Sequence, residues 1–118
     1  MLNVDKSITD INVKDSTYYD CTALHWQVAF GTTGSVAWLL RQDPPPGIDI
    51  PDRHQYTPLI LAACYGEDSE GKVRLLLDHG ADRDIKDING RTALWYARRD
   101  DMFAVIDMLE NYRPDVSR

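Results

Sequence analysis

Cys21 and His25 stand four positions apart, a separation that places a thiol and an imidazole on one face of a helix, the pairing a nucleophilic cysteine requires. The spacing brings no third, orienting residue with it, so the sequence predicts no catalytic residues and no enzyme. The same pair lacks the two further ligands of a zinc site, because His54 and His79 fall at unrelated spacings and neither cysteine belongs to a C-x-x-C motif. The acidic run Glu67-Asp68-Ser69-Glu70-Gly71 lacks the alternating oxygen ligands and distal glutamate of a calcium loop and reads as a solvated connection. Neither G-x-x-x-x-G-K-[ST] nor G-x-G-x-x-G occurs, so no phosphate cradle is expected. No metal and no cofactor are predicted. Cys21 and Cys64 read as free thiols of a reducing compartment.

Composition narrows the classes further. The 118 residues are 43% hydrophobic, enough for one compact core and too few for two. Thirteen basic against nineteen acidic residues give a net charge of -6, which argues against nucleic acid and anionic lipid as partners. The longest apolar run, Leu59 to Tyr65, is seven residues, far short of the roughly 18 that span a bilayer. Asn3, Asp5 and Lys6 after Met1 do not read as a secretory signal. Together these predict a cytoplasmic protein, the nucleus not excluded.

Self-similarity organises the rest. Thr22-Ala23-Leu24-His25, Thr57-Pro58-Leu59-Ile60 and Thr92-Ala93-Leu94-Trp95 recur at offsets of 57 − 22 = 35 and 92 − 57 = 35. Each leads through small residues to an aliphatic cluster: Val36 to Leu40, Val73 to Leu77 and Val105 to Leu109. A threonine before an apolar run is a helix N-cap, and Pro58 sits at the first helical position, where no amide is lost. Gly31 and Gly66 end the first helix of their units. The aliphatic cluster forms a second helix, closed in the middle unit by His79-Gly80-Ala81-Asp82. Asp87-Ile88-Asn89-Gly90 carries the Asn-Gly signature of a tight hairpin-like turn.

These residues resemble the ankyrin repeat, whose pattern runs T-P-L-H-x-A-A-x-x-G, then V-V-x-L-L-L-x-x-G-A-D, then D-x-x-G before the next threonine. The likeness covers about Ile11 to Leu109. It implies an all-α solenoid of three helix-turn-helix units joined by β-turn loops, in a single domain spanning 1–118. An N-terminal extension occupies 1–11, the repeats approximately 12–46, 47–81 and 82–113, and a short tail 114–118. Two-residue excesses over the usual repeat length fall at Pro44-Pro45-Pro46-Gly47 and within Glu67 to Gly71, both expected at connections. Gln27 and Arg98 replace the family's small residue in the first helix. Glu110, Asn111 and Arg113 suit a C-terminal cap, whereas the first unit has no matching cap unless Met1 to Ile11 drapes over it. Trp26 and Trp38 stand where the pattern has leucine and read as core; Trp95 replaces its histidine and is expected to pack beside Thr92.

The resemblance also implies a function: a non-catalytic protein-protein interaction module, a scaffold element that uses its turn tips and the concave side of its first helices. Carried over by position, the tips are Tyr18 and Tyr19, then Arg53, His54 and Tyr56, then Ile88, Asn89 and Arg91. Phe30, Tyr65 and Arg99 stand near the ends of the first helices. Aromatic and arginine side chains are enriched among interface hot spots, and these make a partner-binding surface. His25 takes the family's structural role of holding the turn by hydrogen bonds. Arg53, Arg91, Arg98 and Arg99 suggest a protein or peptide partner with an acidic segment. The triproline could instead present a polyproline segment to a partner domain. A monomer is expected; the alternative is a structural or self-associating subunit that dimerises through the uncapped first repeat around Trp26 and Trp38.

Overall fold

A computed structural model describes residues 11–17 and 19–112. Six α-helices form among them: α1 (Ala23–Phe30), α2 (Thr33–Leu40), α3 (Pro58–Cys64), α4 (Ser69–Asp78), α5 (Ala93–Arg99) and α6 (Phe103–Asn111). No strand is present among the described residues, apart from an isolated antiparallel bridge between Asp15 and Cys21. The helices pair as α1–α2, α3–α4 and α5–α6. The first helices, α1, α3 and α5, lie side by side in one layer, with α2, α4 and α6 side by side behind them.

Local chemistry sets the ends of these helices. Thr22, Thr57 and Thr92 each accept a hydrogen bond from the amide three residues on, at 3.4, 3.2 and 3.3 Å, satisfying one of the free donors of the first turn. Thr32 does the same for α2 and Asp68 for α4. The Asp68 cap draws Ser69, Glu70 and Gly71 into the first turn of α4, so the expected connection from Glu67 to Gly71 is only half loop. At the other end of α4, Gly80 takes φ +92°, and the amides of Gly80 and Ala81 close back on the carbonyls of Leu77 and Leu76. That is the Schellman closure foreseen at His79-Gly80-Ala81-Asp82. The end of α5 repeats it with Asp101 in the left-handed position, φ +55°.

The core runs unbroken through the stack: Leu24 and Val28 of α1, Leu59, Ala62 and Ala63 of α3, Ala93 and Ala97 of α5, with the aliphatic clusters of the second helices behind. Small residues along α3 and α5, Ala62, Ala63, Ala93 and Ala97, let the first layer close up. Trp38 departs from expectation. It is 59% exposed, because the aliphatic side of α2 already buries Val36, Leu39 and Leu40 and leaves no room for an indole. Trp26 is half-buried rather than core. Pro46 is buried and Gly47 donates its amide to Asn12 Oδ1 at 2.7 Å, so the triproline is packed onto the body of the protein at one end.

Candidate functional site

Three loops precede α1, α3 and α5, and each is built around an aspartate. Asp15, Asp52 and Asp87 donate their amides to the carbonyls of Cys21, Tyr56 and Arg91, closing hairpin-like tips. The Oδ1 of Asp52 accepts the amides of His54 and Tyr56, and that of Asp87 accepts those of Asn89 and Arg91. Successive tips are tied together: the Arg53 amide donates to Tyr19 O at 2.8 Å and the Ile88 amide to His54 O at 3.0 Å. Their side chains are therefore held at fixed spacing by backbone bonds.

Between the first two tips and the helices behind them lies a groove of about 250 Å³. Tyr19, His54 and Tyr56 line its tip side; Trp26, Phe30 and Tyr65 line its helix side. The rings pack in sequence, Tyr19 to His54 at 5.3 Å, His54 to Tyr56 at 5.9 Å, Trp26 to Phe30 at 5.4 Å and Phe30 to Tyr65 edge-on at 5.8 Å. Phe30 and Tyr65 remain 60% and 50% exposed, so they do not simply cover the seam between units.

His25 forms part of the groove wall, and its bonding decides what chemistry is possible there. The Thr22 amide donates to Nδ1 at 3.0 Å, which assigns the ring proton to Nε2, and Nε2 donates to Tyr56 O at 2.8 Å. Both nitrogens are committed, so the imidazole cannot serve as a base for Cys21. Burial pulls the His25 pKa below its ordinary value, against the Tyr56 carbonyl, which pushes it up. Burial likewise raises the Cys21 thiol, with Asp52, Asp15 and Asp20 adding to it, the reverse of what a nucleophilic cysteine needs. Cys64 is pushed up to about 11, mainly by burial.

The groove ends at the third unit, where a different surface begins. Tyr96 is buried, edge-on to Tyr56 at 6.3 Å, and donates its hydroxyl to Asp87. Burial pushes the Asp87 carboxyl up, but that hydroxyl and the amides of Arg91 and Asn89 outweigh it and hold the pKa below its usual value. Arg91 lies 4.1 Å over the Trp95 ring. Arg99 lies over Trp95 and Tyr96 and grips Asp100 with two bonds of 3.1 Å. Ile88 and Asn89 are exposed at the third tip.

Of the expected site residues, the fold gathers Tyr19, Phe30, His54, Tyr56 and Tyr65 in the groove and sets Ile88, Asn89, Arg91 and Arg99 apart on the third unit. Arg53 stands at the groove rim; Tyr18 lies outside the described residues. The four arginines do not form one strip. Arg53 pairs with Asp20 at 3.5 Å, Arg98 with Glu110 and Arg99 with Asp100.

A family model described as "Ankyrin repeats (3 copies)" matches residues 2–87 and again residues 24–118. This chain belongs to the ankyrin-repeat family. The repeat is a non-catalytic interaction fold whose general use is protein-protein contact. Among curated proteins the chain is similar to the E3 ubiquitin-protein ligase hecd-1 of Caenorhabditis elegans, 33% identical over 92% of the chain and 4% of that protein. It is 35% identical to the E3 ubiquitin-protein ligase Ufd4 of Drosophila melanogaster over 75% of the chain and 3% of that protein. Human inversin is 34% identical over 77% of the chain and 9% of that protein. The chain thus spans less than a tenth of the length of these relatives.

Several residues that matter in this ankyrin domain escaped the sequence reading. Trp26, at a leucine position of the pattern, lines the groove instead of the core. Trp95 does donate its amide to Thr92, but its ring faces outward beneath two arginines. Asp52 and Asp87 carried a signal, since they repeat at the same offset of 35 as the threonines. Lys72 carried none. It is fully buried, and its Nζ donates to the carbonyls of Val28 at 2.9 Å and Gly31 at 2.8 Å, closing the C-terminal end of α1 on which Phe30 stands.

Proposed function

We propose that this ankyrin domain binds a protein or peptide partner through the groove between its first two tips, Tyr19, Phe30, His54, Tyr56 and Tyr65 making the principal contacts. One observation carries the reading: two large rings at the ends of successive first helices, Phe30 on α1 and Tyr65 after α3, stay at least half exposed although they pack against each other. Exposed apolar surface of this kind costs free energy unless a partner covers it. Arg53, Ile88, Asn89, Arg91 and Arg99 would form the surroundings of the groove rather than its centre. An acidic partner segment is disfavoured by the carboxylates already paired with Arg53, Arg98 and Arg99.

The test is a peptide-display selection on the protein, with binders re-measured on a Phe30→Ser, Tyr65→Ser double variant. Truncating two hot-spot rings should weaken them by about thirtyfold or more, the equivalent of about 2 kcal/mol, without lowering the melting temperature appreciably. Undiminished binding by a folded double variant would remove the groove from the reading. Self-association is the second reading, favoured by the exposed Trp38 on α2. It predicts a concentration-dependent dimer in sedimentation that Trp38→Ser abolishes.

A further inference from the structure

The third unit shows what this molecule does with aromatic rings beside a carboxylate. Arg99 lies 5.7 Å over Trp95 and 5.2 Å over Tyr96 while holding both oxygens of Asp100, and Arg91 covers Trp95 from 4.1 Å. At the groove rim, Arg53 repeats the arrangement more loosely, 6.0 Å over Tyr19 and bonded to Asp20. In each place a guanidinium lies over a ring and is hydrogen-bonded to a carboxylate.

The helix side of the groove has the same ingredients without the guanidinium. Phe30 and Tyr65 carry no cation over their rings among the described residues. Asp52, in the wall, is only 8% exposed. Its Oδ1 serves the His54 and Tyr56 amides, whereas Oδ2 accepts no hydrogen bond among the described residues. Nor is Oδ2 a sealed, unsatisfied atom, since no such atom exists among the described side chains. It therefore keeps some exposure, in a residue that lines the groove. After burial, the Asp52, Asp15 and Asp20 carboxylates push up the Cys21 thiol in the same wall.

We propose that the groove receives an arginine side chain from a protein partner, its guanidinium lying on the groove rings and its charge answered by Asp52. This rests on the partner-binding reading of the groove and names the chemistry of the partner's anchor. Arginine fits better than lysine because its planar cation is weakly hydrated and stacks on aromatic faces. An ammonium would surrender more hydration to a lining that offers little besides rings and one carboxylate oxygen.

The experiment titrates the whole chain with acetyl-Gly-Arg-Gly-amide, followed by NMR at the Trp26 indole N–H and the Cys21 amide. Parallel titrations use tripeptides in which citrulline, lysine or trimethyl-lysine replaces arginine. The arginine peptide should shift both signals and bind at least tenfold more tightly than its citrulline counterpart, which has nearly the same shape and no charge. Asp52→Asn, which keeps an oxygen for the His54 and Tyr56 amides, should bring arginine down to the citrulline level. Tyr65→Ser, at an exposed site where folding is not at stake, should weaken the arginine peptide as well. Equal binding of arginine and citrulline, tighter binding of trimethyl-lysine, or no shift up to about 10 mM peptide would each overturn the proposal. The display selection separates this from the broader reading. Selected peptides that map to the groove but lack arginine remove only the anchor, whereas peptides that never map there remove both.

Discussion

The seam between the first and second units and the seam between the second and third use the same backbone for different purposes. In the first, polar side chains cross over. His25 reaches Tyr56 O, Lys72 reaches Val28 O and Gly31 O, and Thr33 donates to Asp68. Those bonds fix α1 against its neighbours from behind and leave the ring-lined front open. In the second seam Ile60 stands at the position of His25, and the front is closed by Tyr96, bonded to Asp87 and flanked by Arg99. The open, ring-lined groove thus lies where the seam is held by polar side chains crossing behind it.

The largest expected effect probes those polar bonds. Lys72→Met leaves the Val28 and Gly31 carbonyls without their donor and should cost about 3 kcal/mol in urea unfolding, and weaken groove binding by loosening the end of α1. The corresponding position of the third unit, Ala104, is exposed and carries no such bond, so Ala104→Met should change stability by less than about 0.5 kcal/mol. Equal losses at the two positions would erase the distinction between the seams.

A pair of glycines sharpens it. Gly66 has φ +90°, and a Cβ there would meet the Val28 and Ala29 carbonyl oxygens at 2.9 Å; Gly80 has φ +92° with open space around it. Gly80→Ala should cost only the left-handed backbone penalty, about 1 kcal/mol, and Gly66→Ala about 2 to 3 kcal/mol, because α1 must also move away. Thermal melts of the two variants measure the difference.

The pH dependence should also belong to the first seam. The folded His25 has a pKa below the ordinary 6.5, so between those values the unfolded chain binds more protons. Its contribution is complete above about pH 6.5 and is lost as pH falls from there through the folded-state value. Asp68, held down chiefly by the Thr33 hydroxyl, and Asp87 act lower, their contributions declining as pH drops below the ordinary 3.8. Denaturant titrations between pH 7 and 5 should show a slope that His25→Ile, which copies the second unit, flattens. A slope unchanged in that variant would place its origin elsewhere.

The smallest effect lies at the third unit. Asp101 holds a left-handed conformation that glycine occupies in the middle unit, and Asp101→Gly should raise stability by up to about 0.5 kcal/mol, the lower strain being partly offset by a more flexible unfolded chain.

What could be read in advance depended on whether a feature was periodic. Thr22, Thr57 and Thr92 as caps and the aliphatic clusters as second helices follow from local rules applied three times in register, and Gly80 as a Schellman closure from the same rules in the middle unit. Of the candidate site, the convergence of Tyr19, Phe30, His54, Tyr56 and Tyr65 on one groove was legible in part, from their repeated positions. Trp38 was misplaced because the pattern gives an average leucine position, whereas burial at that point of α2 depends on what its neighbours have already filled.

The sequence by itself determined the unit, its count and the ends of its helices, since these rest on hydrogen bonds and backbone preferences within a few residues. Only the tertiary structure decided that Lys72 is buried, that Trp26 joins a groove, and that Phe30 and Tyr65 meet there with their rings exposed. Those outcomes depend on groups more than thirty residues apart sharing one volume, and no spacing along the chain specifies which partner reaches that volume first.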